Sequence, residues 1–194
     1  KLEGHTGVVD SLVFSPDGQI VAVAAGISGN PGEITTWSVV DQTKIGTLIG
    51  HKDEINALAF SPDGKILASA GSATSNNILA GGEVKLWSVP NQALITTFDG
   101  YVGDANAVAF SPDGQVLATG DAASWGLGGA RLWSVLKQVE IARFPDDIVS
   151  LVYSPHGEFI ATGSWQSIKI WSIEDQQTVV DLRGHKLPVY SLVF

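Results

Sequence analysis

The tetrapeptide Ser-Pro-Asp-Gly occurs at Ser15 to Gly18, Ser61 to Gly64 and Ser111 to Gly114, and returns as Ser154-Pro155-His156-Gly157. Each copy follows an apolar run closed by an aromatic (Phe14, Phe60, Phe110 or Tyr153) and precedes a second apolar run. Pro presets φ at the second turn position, Asp bonds its own local backbone, and Gly accepts the left-handed conformation, so the tetrapeptide joins two antiparallel strands. A Trp-Ser pair follows every turn, at Trp37-Ser38, Trp87-Ser88, Trp133-Ser134 and Trp171-Ser172. The chain is therefore one unit used four times.

Short apolar runs bounded by Gly, Pro, Asn and Asp predict four strands per unit. In the first they are Val8 to Phe14, Gln19 to Ala25, Glu33 to Val39 and Lys44 to Ile49, and in the second Ile55 to Phe60, Lys65 to Ala70, Glu83 to Val89 and Ala93 to Phe98. The third runs Ala105 to Phe110, Gln115 to Gly120, Ala130 to Val135 and Val139 to Phe144, and the fourth Ile148 to Tyr153, Glu158 to Gly163, Ser167 to Ile173 and Thr178 to Leu182. From each Trp to the next first-strand aromatic the spacing is nearly fixed: 23 residues from Trp37 to Phe60, 23 from Trp87 to Phe110 and 20 from Trp133 to Tyr153. Length varies instead between second and third strands, from 19 residues (Ala68 to Trp87) down to 10 (Ala161 to Trp171). No helical periodicity interrupts the strands. An all-β chain repeating every ~40 to 45 residues predicts a β-propeller of four-stranded antiparallel blades. The blades fall near 5–49, 51–99, 101–144 and 147–183, with the start of another at 184–194.

Composition narrows the functional classes. The 194 residues are 44% hydrophobic, enough for a substantial core, and carry a formal net charge of -9. With no Lys/Arg cluster, phosphate neutralisation and hence nucleic-acid binding are disfavoured, as is adsorption to an acidic membrane. No run approaches the ~18 apolar residues of a membrane span. Absence of Cys excludes disulfides and Cys-ligated metal. The chain contains no Met and starts at Lys1, which suggests a fragment or a processed product.

The series of Gly-His, Ser-Pro-Asp-Gly and Trp-Ser resembles the WD-repeat (WD40) β-propeller family over the whole chain. The resemblance implies that a His before the first strand, a Ser or Thr on the second, an Asp in the following turn and the third-strand Trp form a buried polar network. By that correspondence the second blade has His51, Ser69 and Trp87, and the first has His5 and Trp37 with Val23 at the hydroxyl position. The third has Thr119 and Trp133 with Tyr101 in place of His, and the fourth has Thr162 and Trp171. Six residues before each Trp, where the family places Asp, stand Pro31, Gly81, Leu127 and Trp165. Residues 1–14 align with 181–194, through Gly4-His5 and Gly184-His185 and through Ser11-Leu-Val-Phe14 and Ser191-Leu-Val-Phe194. Because family members usually need about seven blades to close, the chain reads as part of a larger propeller. Self-association of two open halves is the less favoured alternative.

Nothing in the sequence points to catalysis, a cofactor or a metal. His5, His51 and His185 recur at one repeat position and read as structural turn residues, and equivalent positions of different blades lie too far apart to share a metal. Gly126-Leu-Gly-Gly129 lacks the helix and Lys of a phosphate loop, and no Gly-x-Ser-x-Gly elbow occurs. The second-to-third-strand loops are more informative. They carry Ile78, Leu79, Trp125, Leu127 and Trp165 among Gly and Ser. Large apolar residues there either fold back on the channel and neighbouring blades or bind a partner. All these loops leave the propeller on one face, with the Gly-His turns; the uniform Ser-Pro-Asp-Gly turns of the opposite face offer little to tell one blade from another. The expected function is a non-enzymatic scaffold or sensor, cytoplasmic, binding protein partners through the loop face. The alternatives are a regulatory propeller domain of a larger enzyme and a structural subunit of a large complex.

Overall fold

The structure, a computed structural model, describes residues 7–72, 81–123 and 127–194. They form sixteen strands, β1 to β16, in four antiparallel sheets of four, and no helix. The first sheet is β1 (Val8–Phe14), β2 (Ile20–Gly26), β3 (Glu33–Ser38) and β4 (Lys44–Ile49). The second is β5 (Ile55–Phe60), β6 (Ile66–Gly71), β7 (Glu83–Ser88) and β8 (Ala93–Phe98). The third is β9 (Asp104–Phe110), β10 (Val116–Ala122), β11 (Gly129–Ser134) and β12 (Val139–Pro145). The fourth is β13 (Ser150–Tyr153), β14 (Phe159–Gly163), β15 (Ser167–Ser172) and β16 (Gln177–Arg183). Strand order within every sheet is sequence order, as in a propeller blade.

The tetrapeptide does at atomic scale what its residues require. Gly18, Gly64, Gly114 and Gly157 have φ of 70, 70, 72 and 77°. In the first three copies the Ser hydroxyl donates to the turn Asp, at 2.6, 2.7 and 2.6 Å, and accepts the N–H five residues on. The Ser bond holds the Asp17, Asp63 and Asp113 carboxyls below their ordinary range. A second recurrent turn, between third and fourth strands, has a left-handed Gln five residues after each Trp: Gln42, Gln92, Gln138 and Gln176, with φ of 50 to 58°.

The blades pack through their inner strands, β1 on β5, β5 on β9 and β9 on β13. Each junction is one apolar core, in which a blade's Trp and first-strand aromatic cover the preceding sheet. Trp87 and Phe60 pack on Ala22, Ala24 and Ile34; Trp133 stacks on Phe98 with ring centroids 4.4 Å apart; Trp171 meets Phe144 at 5.0 Å. The arc stays open. Among the described residues Phe14 has no preceding sheet to cover, and it is 55% exposed, whereas its counterparts Phe60 and Phe110 are 9% exposed.

The expected start of a further blade at 184–194 forms no strand, because among the described residues no second strand lies beside it to supply a ladder. It is tethered instead at one point. The Val189 N–H donates to Ser164 O at 3.0 Å and the Ser150 hydroxyl donates to Val189 O at 2.6 Å.

Candidate functional site

Each third strand places its Trp indole against a buried hydroxyl. In the second blade the Trp87 N–H donates to Ser69 Oγ at 2.8 Å, and the Ser69 hydroxyl lies 2.6 Å from His51 Nε2. The other imidazole nitrogen, Nδ1, lies 3.2 Å from Glu83 Oε1, and Lys85 Nζ donates to the second Glu83 oxygen at 3.1 Å. Burial holds the His51 ring below its ordinary pKa, hence neutral. Burial alone would raise the Glu83 carboxyl, but hydrogen bonds from His51 and Lys85 outweigh it and bring it to about 2. The Ser69 hydroxyl thus joins the Trp87 indole to the His51 ring, and Glu83 stands between that ring and Lys85.

The other blades fill the same places differently. In the first, Thr35 takes the Trp37 N–H at 3.1 Å, and Val23 supplies only its carbonyl. In the third, Thr119 accepts from both the Tyr101 hydroxyl at 2.9 Å and the Trp133 N–H at 3.0 Å, while the Arg131 guanidinium sits 4.4 Å over the Tyr101 ring. Tyr101 thus stands in for the His in hydrogen bonding as well as in sequence. Asp121 on β10, fully buried, accepts from Val102 N–H and Gly129 N–H. The fourth has the single bond from Trp171 N–H to Thr162 Oγ1 at 2.9 Å. His5 lies outside the described residues.

Thr35, Glu83, Lys85 and Arg131 are the residues that reasoning from the position six before each Trp does not reach. The signal for them was present. Two and four residues before a strand Trp lie on its own face, and those places read Glu33 and Thr35, Glu83 and Lys85, Gly129 and Arg131, Ser167 and Lys169.

The loops between second and third strands meet the entry turn of the next blade. Gly29 N–H donates to Asp53 Oδ1 at 2.8 Å, Gly82 N–H to Gly103 O at 2.8 Å and Ala123 N–H to Asp147 Oδ1 at 3.2 Å. These bonds put the described parts of the first three variable loops and the entry turns they meet at one end of the arc.

At that end the inner strands open into a cavity of about 500 Å³. In three blades the ladder between first and second strands skips one residue, leaving Asp10, Asn56 and Asn106 unpaired in β-bulges. A bulge turns its side chain out of the ladder, and all three line the cavity together with Glu54 and Asp104. Asn56 Nδ2 donates to Ala105 O at 3.0 Å, tying one blade's bulge to the next strand. The fourth blade has Val149 at the equivalent place, one residue before β13 begins, and Trp165 and Tyr190 complete the wall. Among the described residues no Lys, Arg or His lines it. Its described lining is thus rich in hydrogen-bond acceptors, with two aromatic rings on its wall.

Of the loop residues singled out from sequence, Trp165 reaches this cavity and is 57% exposed. Leu127, 59% exposed, stands in the β10–β11 loop away from the lining. Ile78, Leu79 and Trp125 lie outside the described residues. Among the described residues no group of three or more His, Asp or Glu could hold a metal ion, and no helix is long and apolar enough to cross a membrane.

Repeated four-stranded antiparallel sheets packed through their inner strands define a propeller-type repeat protein. The family model "WD domain, G-beta repeat" matches residues 1–30, 42–88, 92–134 and 139–172. The chain belongs to the WD-repeat family. It is also similar to the general transcriptional corepressor TUP1 of Saccharomyces cerevisiae, 46% identical over 46 residues, a stretch that covers 23% of this chain and 6% of that protein.

Proposed function

We propose that this propeller segment is a non-catalytic scaffold that binds a protein partner on the face carrying the second-to-third-strand loops. The observation that carries the reading is the cavity at that face, where three bulges present Asp10, Asn56 and Asn106 beside Trp165. Its acidic and amide lining fits a partner segment rich in Lys, Arg or backbone donors. Trp165 supplies exposed apolar area in the wall, and Leu127, Ile78, Leu79 and Trp125 belong to loops of the same set. Propellers of this family serve as interaction platforms, and likeness to a transcriptional corepressor is in keeping with regulation by assembly rather than by chemistry. The cytoplasm is the compartment that goes with this reading, and the segment belongs to a larger propeller.

The test is capture of partners from the native source with Trp125→Ala and Trp165→Ala, set against Asp17→Ala and Asp63→Ala on the opposite turns. Loss of an interfacial Trp typically costs ~2 kcal/mol, roughly a 30-fold drop in affinity. Should the turn variants lose the partner while the Trp variants keep it, the binding face has been assigned backwards.

A further inference from the structure

The face made by the Ser-Pro-Asp-Gly turns is less uniform than its sequence suggests. Between the third and fourth blades, at that end, lies a cavity of about 450 Å³. Its walls are apolar, from Val116, Leu132, Ile141 and Ile173, and its polar side chains are Ser111, Asp113, His156 and Tyr153.

The corresponding junction between the first and second blades is filled. There Gln92 reaches back from its left-handed turn: the Thr36 hydroxyl donates to its Oε1 at 2.9 Å, its Nε2 donates to Val89 O at 2.6 Å, and its side chain crowds against Gly46. At the third-to-fourth junction the residues in the places of Thr36 and Gly46 are Leu132 and Ala142. Leu132 offers no donor and Ala142 adds a methyl group, and Gln176, in the place of Gln92, is exposed to solvent. The space Gln92 occupies in one junction is open in the other.

Two substitutions within the repeat then put polar groups around that space. Tyr153 stands where the second and third blades have Phe60 and Phe110. It is 7% exposed, and its hydroxyl has no hydrogen-bond partner. Leaving a buried hydroxyl unpaired forfeits the hydrogen bond it made to water, a cost that an apolar Phe would avoid. Burial and the Asp113 charge hold that hydroxyl in its protonated form, so what it lacks is an acceptor. His156 replaces the turn Asp, so the fourth turn has no carboxylate for Ser154 and instead sets an imidazole at the cavity edge. On the facing turn Asp113, kept ionised by the Ser111 hydroxyl, is the one carboxylate among the described residues that line the cavity.

We propose that this inter-blade pocket is a second binding site, taking a short extended peptide segment whose apolar side chain enters between the blades, whose backbone carbonyl accepts from Tyr153 and whose neighbouring Lys or Arg meets Asp113. A cavity of this size is in the range of ligand sites that combine apolar walls with a few polar groups. Charge complementarity selects a basic rather than an acidic segment, on a chain whose net charge is -9.

Fluorescence polarisation of the chain with a labelled mixture of hexapeptides of the form Ala-Lys-X-X-Lys-Ala, X being Leu, Ile, Val or Phe, tests it. The expected result is saturable binding, weakened about fivefold by Tyr153→Phe, the size of one hydrogen bond. Ile141→Trp, at a half-exposed position on the cavity wall, should weaken it at least ~10-fold by filling the space. Trp165→Ala on the opposite face should leave the component of binding that Tyr153→Phe and Ile141→Trp weaken unchanged, which separates this site from the loop-face site. Unchanged urea midpoints identify variants that remain folded, and Tyr153→Phe copies a residue two other blades already hold. Absence of saturable binding overturns the proposal, as does equal binding of the Glu-for-Lys mixture. N-acetyl-leucinamide binding as tightly as the hexapeptides would make the pocket a small-molecule site and overturn the peptide assignment. Loss of binding in Trp165→Ala alone would move the peptide to the loop face.

Discussion

Ser69→Ala removes a single oxygen, yet that oxygen is the joint of the second blade. Ser69 is fully buried, accepts the Trp87 N–H at 2.8 Å and lies 2.6 Å from His51 Nε2. The substitution leaves an indole N–H and an imidazole nitrogen without partners where the void is too small for water. Each stranded group costs on the order of 1 kcal/mol or more, so the variant should lose about 2 to 3 kcal/mol. Thr162→Val in the fourth blade provides the internal comparison, because Thr162 serves the Trp171 N–H alone at 2.9 Å. It should lose about 1 kcal/mol. Urea unfolding followed by tryptophan fluorescence measures both, and at this chain length the larger loss corresponds to a fall in Tm of roughly 5 to 10 °C. A Ser69→Ala cost no greater than that of Thr162→Val would refute the shared-hydroxyl reasoning, since the second bond would then contribute nothing.

Three further outcomes follow from the same geometry. Val23→Ser should bring no gain, because Thr35 already takes the Trp37 N–H at 3.1 Å; stabilisation of ~1 kcal/mol in urea would contradict that. Acid should unfold the chain in two stages set by the second blade. The unfolded chain protonates His51 below its ordinary 6.5 and Glu83 below its ordinary 4.5, while the fold holds both pKa values lower, Glu83 at about 2. Stability is therefore full above pH 6.5, and the Glu83 share, at most about 3 kcal/mol, disappears between pH 4.5 and 2. Glu83→Gln should flatten the lower part of this profile, measured as urea midpoint against pH, and an unchanged slope would remove Glu83 from the network. Phe60→Ala should cost about 3 to 5 kcal/mol while Phe14→Ala costs far less in the isolated chain, because only Phe60 is covered by a preceding sheet. Equal costs would mean that a second copy or another surface covers Phe14, which sedimentation would reveal as self-association.

The parts of this fold that sequence reveals are those set by neighbours along the chain. A left-handed Gly at 18, 64, 114 and 157 depends on four residues, and the strand pairs on either side follow from apolar alternation, so the four sheets and the propeller class could be read directly. Polar networks depend on which side chains meet across strands. The expectation of an Asp six residues before Trp87 overlooked Glu83, four before it on the same strand face, whose carboxylate reaches His51. Val23 at the hydroxyl position suggested an unfilled place, and the hydroxyl came from the neighbouring strand as Thr35. Bulges are harder still. Nothing in the run Ile55 to Phe60 marks Asn56 as the residue the ladder skips, since the skip arises from pairing with β6, yet Asn56 and its equivalents build the cavity wall.

The repeats are most alike where they hold the blades together and diverge most in the fourth blade, on both of its ends. At the loop end, Val149 replaces the polar bulge residue and Trp165 enters the cavity wall. At the turn end, Tyr153 replaces Phe and His156 replaces Asp around the second cavity. Each of these four substitutions goes against a local preference: an apolar residue in a polar ring, a large indole in a tight loop, an unpaired buried hydroxyl and a turn without its carboxylate. Uniform blades would be the more stable choice, because every blade could then use the same paired groups. A chain that gives up paired groups in one blade, twice and on opposite faces, while Trp171, Thr162 and the Gly157 turn remain intact, concentrates its departures in two cavities rather than in its core. Selectivity for partners is accordingly best sought at the fourth blade, and exchanging its turn residues for those of the third should alter binding at the turn-face pocket while leaving the blade folded.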